Sequence, residues 1–235
     1  MRITDSVALV TGANRGIGRH FAGQLLERGA AKVYATARDP ERIDIPGVET
    51  LRLDITDPRS VEEAATIASD VTLLINNAGI ATYTNLVTGD LNKIRSEMDT
   101  HFYGTLGMVR AFAPVLGANG GGGILNVLSA LSWFSYDGAN AYAAAKAAEW
   151  SLTNGVRLEL AGQGTLVTGL HLGSADTDMT AGYDGDKMDP ADVVRAALDG
   201  IEADRIEVLA DKWSAYAKAS LANDPSAFYT PGQAA

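Results

Sequence analysis

One stretch constrains the fold more than any other: "VALVTGANRGIGRHFA", residues 7–22. A short apolar run leads into three glycines, Gly12, Gly16 and Gly18. A helical pattern follows, with Ile17, Phe21 and Leu25 at matching spacing and Gly29 as its stop. Glycines at such a turn let the backbone bend tightly and approach a ligand closely. The helix N-terminus then offers free N–H groups and the positive end of its dipole to phosphates. The spacing is T-G-x-x-x-G-x-G rather than G-x-G-x-x-G. Glycine also serves strand–helix turns for geometry alone, but here strand, spacing and helix agree, and together they predict dinucleotide binding.

The same alternation continues along the chain. Strands are predicted at 7–11, 32–37, 49–55, 71–75, 123–129, 165–172 and 205–210. Between them lie helical patterns at 16–29, at 58–69 (Asp57 as cap, Pro58 at the first position), at about 90–116, around Tyr142, and from Asp189 and Pro190 onward. The strands are uniformly apolar rather than alternating, which means burial on both faces, as in a parallel sheet covered by helices. The expected class is α/β: a doubly wound Rossmann fold, a parallel sheet of about seven strands with helices on both faces. No composition shift marks a boundary, so residues 1–235 read as a single domain, and "NGGGG" (119–123) reads as a loop.

Composition excludes several classes. With no cysteine there is no disulfide, thiolate nucleophile or sulfur-ligated metal. The net charge of −10 argues against nucleic acid. His20, His101 and His171 are scattered without a ligand spacing, so no metal is expected. No apolar run approaches the roughly 20 residues of a membrane span, and "MRITDSVALVTG" lacks a long apolar signal segment. A cytoplasmic location is the expectation.

In "ANAYAAAKAAEW" (139–150), Tyr142 and Lys146 stand four apart among alanines and share one helix face. Alone, such a pair reads first as a snorkelling contact between helices. With the other motifs, the chain resembles the short-chain dehydrogenase/reductase superfamily, in its roughly 250-residue, carbonyl reductase-like branch, over nearly its whole length. "TGANRGIG" (11–18), with Asn14, Arg15 and Ile17, resembles the cofactor loop. Asp54, followed by Ile55 in "RLDITD", matches the adenine contact. "NNAG" (76–79), with Asn77, Ala78 and Gly79, matches the motif beside the adenosine ribose. Ser129, Tyr142 and Lys146 match the catalytic serine and the Y-x-x-x-K pair.

By this resemblance Tyr142 gives a proton to a carbonyl oxygen as hydride reaches the carbon. Ser129 orients that oxygen, and Lys146 tunes the phenol and holds the nicotinamide ribose. The P-G-x-x-x-T segment becomes "LGSADT", so Ala175 and Thr177 are cofactor contacts and Leu172 stands in for the proline. His101 replaces the asparagine that helps hold a water beside the lysine. It reads equally as a catalytic relay group and as a packing histidine.

The second strand ends at Ala37 and is followed by Arg38, where an acid would mark NAD. Arg38 and Arg15 point to NADP(H), although both also read as solvated charges beside Asp39. The expected reaction is NADPH-dependent reduction of a ketone or aldehyde. The alternatives are an NAD(P)-dependent secondary-alcohol dehydrogenase and a catalytically impaired NADP-sensing binding protein. Trp133, Phe134 and Tyr183 are candidates for an apolar substrate site, or for packing. Residues 177–190 read as a short mobile lid, and "AFYTPGQAA" (227–235) as a surface tail or substrate edge. Ala143, Ala144, Ala147, Ala148 and Ser151 suit a contact with another subunit, and by the resemblance, whose members commonly pair through this helix and the preceding long one, a homodimer or homotetramer is expected.

Overall fold

The computed structural model describes residues 1–229, so the last residues of the predicted C-terminal tail, 230–235, lie outside the described part. Its strands are β1 (Val7–Thr11), β2 (Lys32–Ala37), β3 (Glu49–Arg52), β4 (Leu73–Asn76), β5 (Gly123–Val127), β6 (Leu166–His171) and β7 (Glu207–Leu209). They form one sheet in the order β3-β2-β1-β4-β5-β6-β7, and every pairing is parallel. The helices are α1 (Gly16–Glu27), α2 (Pro58–Ile67), α3 (Leu91–Met98), α4 (Thr105–Ala118), α5 (Asn140–Leu160), α6 (Pro190–Glu202), α7 (Lys212–Ser220) and α8 (Ser226–Tyr229). The doubly wound parallel sheet is therefore the one the sequence predicts.

Two cores explain the uniformly apolar strands. On one face Ala8, Val10, Ile75, Leu125 and Leu170 meet α1 and α6 through Phe21, Leu25, Val194 and Leu198. On the other, Leu9, Leu74, Ile124 and Val167 meet α2, α4 and α5 through Val61, Met108, Phe112 and Val156. Each fully buried side chain of this size contributes about 1.5–3 kcal/mol of transfer free energy.

The chain winds outward from β1 to β3, then returns past β1 to β4. That reversal leaves a crevice beyond the carboxyl ends of β1 and β4, where ligands bind in such sheets. A buried polar thread fixes α5 over it. Asn76 donates to Asn126 Oδ1 (2.9 Å), Asn126 to Thr153 Oγ1 (2.9 Å), and Thr153 to the Glu149 carbonyl (2.8 Å).

Three departures from the predicted elements bear on the site. β3 ends at Arg52, because it is an edge strand with one neighbour and mostly exposed side chains, so Asp54 and Ile55 lie in the loop beyond it. β5 ends at Val127, and Ser129 caps a 3-10 turn, Ala130–Ser132. The long helix predicted over 90–116 is helical throughout, but its middle, Asp99–Gly104, winds as a π-helical segment between α3 and α4. The end of this segment packs against the loop after β3. A Cβ on Gly104 would stand 2.9 Å from Ile55 Cδ1. Such segments insert an extra residue and recur at functional sites; this one carries His101.

Candidate active site

A single cleft of 1780 Å³ runs across the carboxyl ends of β1, β2, β4, β5 and β6. Small-molecule pockets span about 300–1,000 Å³, so there is room for a dinucleotide and a second molecule. Of the residues the motifs single out, Gly12, Asn14, Arg15, Gly16, Ile17, Gly18, Arg38, Asp54, Ile55, Asn77, Ala78, Gly79, His101, Ser129, Tyr142, Lys146, Ala175 and Thr177 all line it.

The floor is the β1–α1 turn. Gly12 and Gly16 have φ of +68° and +52°, a region that costs other residues energy. At Gly18 the demand is steric: a Cβ would lie 2.2 Å from the Gly12 carbonyl oxygen and 2.5 Å from Asn77 Nδ2. Asn77 acts as a strut here, since its side-chain amide donates to the carbonyls of Thr11 (2.8 Å) and Gly12 (3.3 Å). Helix α1 has no side-chain cap and no acid in its first turn. Its first N–H groups thus face the cleft unpaired, a donor set that suits a pyrophosphate.

At one end Ala37 and Arg38 line the wall together with Arg42, a basic residue the sequence reading did not single out. It sits on a 3-10 turn, Pro40–Arg42. The two guanidinium groups at this end suit a phosphate dianion. Arg15 instead reaches across to Asp178, at 3.2 Å. Asp54 Oδ1 accepts from the Thr56 N–H and hydroxyl, at 3.0 and 2.7 Å, which shapes the loop behind the cleft.

At the inner end, Ser129, Tyr142 and Lys146 come together. Ser129 Oγ accepts from the Leu131 N–H (3.1 Å) and lies within hydrogen-bonding reach of the Tyr142 phenol. Lys146 Nζ donates to the Val127 carbonyl (2.7 Å), pinning α5 to the end of β5. Burial pushes Tyr142 above the usual phenol pKa; Lys146 and Ser129 oppose this, while Glu149 and Glu97 add to it.

Two of these groups, Glu149 and Glu97, are additions to the site. Glu149 Oε2 is 2.7 Å from Lys146 Nζ, and its Oε1 accepts from Thr105 Oγ1 at 3.0 Å. Glu97 accepts from the Thr82 N–H at 2.6 Å and lies 3.2 Å from His101 Nε2. Both carboxylates are almost fully buried, at 2% and 0% exposure. The only sequence signal was spacing: Glu149 lies three residues after Lys146, and Glu97 four before His101. His101 stands between them, its ring edge-on to Tyr142 with centroids 5.2 Å apart.

The mouth is aromatic. Tyr83, Phe134, Tyr136, Tyr183, Trp213 and Tyr216 line it. Trp133 does not: it stacks on His171 at 4.0 Å and packs against Trp150, because the turn after Ser129 directs it into the protein. The predicted lid is tied at three places. Thr177 caps a 3-10 turn (Asp178–Thr180), Met188 pairs with Ala175, and the Tyr83 hydroxyl donates to the Met179 carbonyl. Tyr229 reaches the same edge, where its hydroxyl accepts from the Ser135 N–H at 3.2 Å.

His171 supports Ser129 from β6, with Nδ1–H donating to the Ser129 carbonyl at 3.1 Å. Burial lowers its pKa to about 4, against about 6.5 in an unfolded chain. The unfolded chain therefore takes up this proton first. The stabilisation is complete above about pH 6.5 and is lost as pH falls toward about 4, roughly 3 kcal/mol in all. Urea denaturation at pH 7.5 and pH 4.5 checks this. The wild type is expected to lose about 2–3 kcal/mol more over that interval than His171→Phe, which cannot titrate. Equal losses would remove the assignment.

Among the described residues no group of acids and histidines could hold a metal ion, and no helix is long and apolar enough to cross a membrane. Fold and site together define an oxidoreductase of the doubly wound α/β class. A family model described as short chain dehydrogenase matches residues 6–187, and the chain belongs to that family, the short-chain dehydrogenases/reductases. It is similar to an uncharacterised oxidoreductase of Staphylococcus aureus, 32% identical over 210 residues, covering 83% of this chain and 90% of the relative. A short-chain dehydrogenase from Burkholderia cenocepacia, solved in complex with NADP, superposes with a TM-score of 0.93 at 39% identity, over 97% of both chains. One from Sphingobium yanoikuyae, in complex with NADPH, gives 0.78 at 28% identity, over 91% of this chain and 93% of that one.

Proposed function

We propose that the protein is an NADPH-dependent carbonyl reductase that converts an uncharged, apolar ketone or aldehyde to an alcohol. The observation that carries this is the meeting of Ser129, Tyr142 and Lys146 at the inner end of a cleft whose floor suits a pyrophosphate. Bound NADPH supplies the hydride. The protein's share is to hold and protonate the carbonyl oxygen: Ser129 Oγ–H grips it, and Tyr142 donates its phenol proton. Lys146, anchored on Val127, keeps a positive charge behind the phenol, and the phenolate left by the transfer takes its proton back from solvent before the next turnover.

NADPH is favoured over NADH because the wall after β2 offers Arg38 and Arg42 with Ala37 where an acid would repel a 2′-phosphate. The NADP and NADPH complexes of the two similar dehydrogenases support the same choice. The aromatic mouth supports a substrate without charge. The same reading has two or four copies joined through α4 and α5, where Ala144, Ser151 and Leu158 are exposed while Ala143 is buried within the subunit. A monomer in sedimentation equilibrium would remove that part.

The test is NADPH oxidation over a panel of aryl and alkyl ketones and aldehydes, with cofactor titration alongside. Replacing both Arg38 and Arg42 by Ala is expected to weaken NADPH binding roughly 10- to 100-fold, the worth of charge-assisted hydrogen bonds, while NADH binding changes little. Equal weakening of both cofactors would place the arginines outside the 2′-phosphate site. NADPH binding without turnover of any carbonyl would favour a cofactor sensor over a reductase.

A further inference from the structure

We propose that Glu149, backed by Glu97, is a positioning residue that keeps Tyr142 in its phenol form, so that the site remains a proton donor well into the alkaline range. The proposal rests on the reading of Tyr142 as the proton-giving group, and it concerns two buried carboxylates which that reading does not use.

The argument is one of charge in a dry space. Lys146 is 5% exposed, Glu149 2% and Glu97 0%. An ammonium alone behind a phenol would draw it toward phenolate. Here that ammonium meets a carboxylate at 2.7 Å, one turn along the same helix. Thr105 donates to the second oxygen of Glu149 at 3.0 Å, which fixes the carboxylate in place beside the ammonium. Glu97 adds a second negative charge from α3, its Oε2 lying 3.2 Å from His101 Nε2.

His101 is the one group that could offset this. The groups facing it are Glu97 from α3, and Tyr142, Lys146 and Glu149 from α5. Its Nε2 lies 2.9 Å from the Ile80 carbonyl, which can only accept, so Nε2 carries the hydrogen. Nδ1 is then the position for a second proton. It has no hydrogen-bond partner and stands 3.8 Å from Glu149 Oε2. Leaving His101 aside, the cluster holds two carboxylates against one ammonium. Ionising Tyr142 would add a further negative charge to a space that already carries an uncompensated one. The phenol therefore keeps its proton, and its pKa is raised first by burial and then by Glu149 and Glu97, against Lys146 and Ser129.

The consequence is legible without turnover. Phenolate absorbance near 295 nm, wild type minus Tyr142→Phe, isolates this tyrosine from the others as pH is raised. Glu149→Gln, measured against its own Tyr142→Phe double variant, is expected to form phenolate at least about one pH unit lower, a tenfold change in proton affinity. Glu149→Asp keeps the charge and is expected to stay close to wild type. The alkaline fall in kcat/KM for carbonyl reduction should move down with the absorbance. A carboxylate that only braced α5 would leave the titration where it was. The proposal is overturned if Glu149→Gln leaves the phenolate transition unmoved or raises it, or if Lys146 loses the proton instead. If Glu149→Gln does not fold, Glu97→Gln decides in the same sense, with a smaller downward shift expected and no shift overturning it. If Tyr142→Phe retained reductase activity, the functional reading would fail while this titration still gave its answer.

Discussion

Tyr142→Phe is expected to lower kcat for carbonyl reduction by roughly 10²- to 10⁴-fold, the usual worth of a positioned general acid. NADPH binding should remain nearly unchanged. The substitution removes one hydroxyl and leaves the ring, so its edge-on contact with His101 persists. Stability should change little, because the lost hydroxyl lines the cleft and its partner Ser129 also accepts from the Leu131 N–H. Steady-state kinetics on the best carbonyl of the panel, with the cofactor Kd measured by fluorescence, separates chemistry from binding. Activity kept within tenfold of wild type would show that another group supplies the proton, and the reductase mechanism drawn from this site would not stand.

Lys146→Met is expected to act on stability as well as on turnover. The side chain is buried, donates to the Val127 carbonyl and pairs with Glu149 at 2.7 Å. Without it, Glu149 and Glu97 face each other across His101 with no fixed positive charge between them. Breaking a buried ion pair from one side costs about 3–5 kcal/mol, because the remaining charge stays desolvated. Urea denaturation should show a loss of that size near neutral pH, and a smaller one at acid pH where the carboxylates can protonate. The double variant Lys146→Met with Glu149→Gln should recover much of it, since no unpaired charge then remains beside the site. A single variant as stable as the wild type would mean that solvent reaches Glu149 and that the cluster is not dry.

The parts of the site visible in the chain were those carried by local rules. Gly12, Gly16 and Gly18 stand in a turn because only glycine meets its backbone and steric demands. Tyr142 and Lys146 share a face because α5 is a regular alanine-rich helix. The buried carboxylates were hidden for a physical reason. A glutamate in a helical pattern reads as solvent-facing unless its partner is known, and the partners of Glu97 and Glu149 come from other elements: Thr82 and His101 for one, Thr105 and His101 for the other. The π-helical segment between α3 and α4 was equally silent, since no residue pattern in 99–104 marks it. Arg42 escaped because a short 3-10 turn, not a motif, brings it to the cleft wall.

Residues close along the chain thus specified the parallel sheet, the phosphate turn and the tyrosine–lysine pair, because hydrophobic period, glycine geometry and helix pitch act over a few residues. Which charges those groups feel was settled only when α3, α4 and α5 packed together behind the cleft. Electrostatic strength depends on distance and on the exclusion of water, and both arise from contacts between segments far apart in the chain.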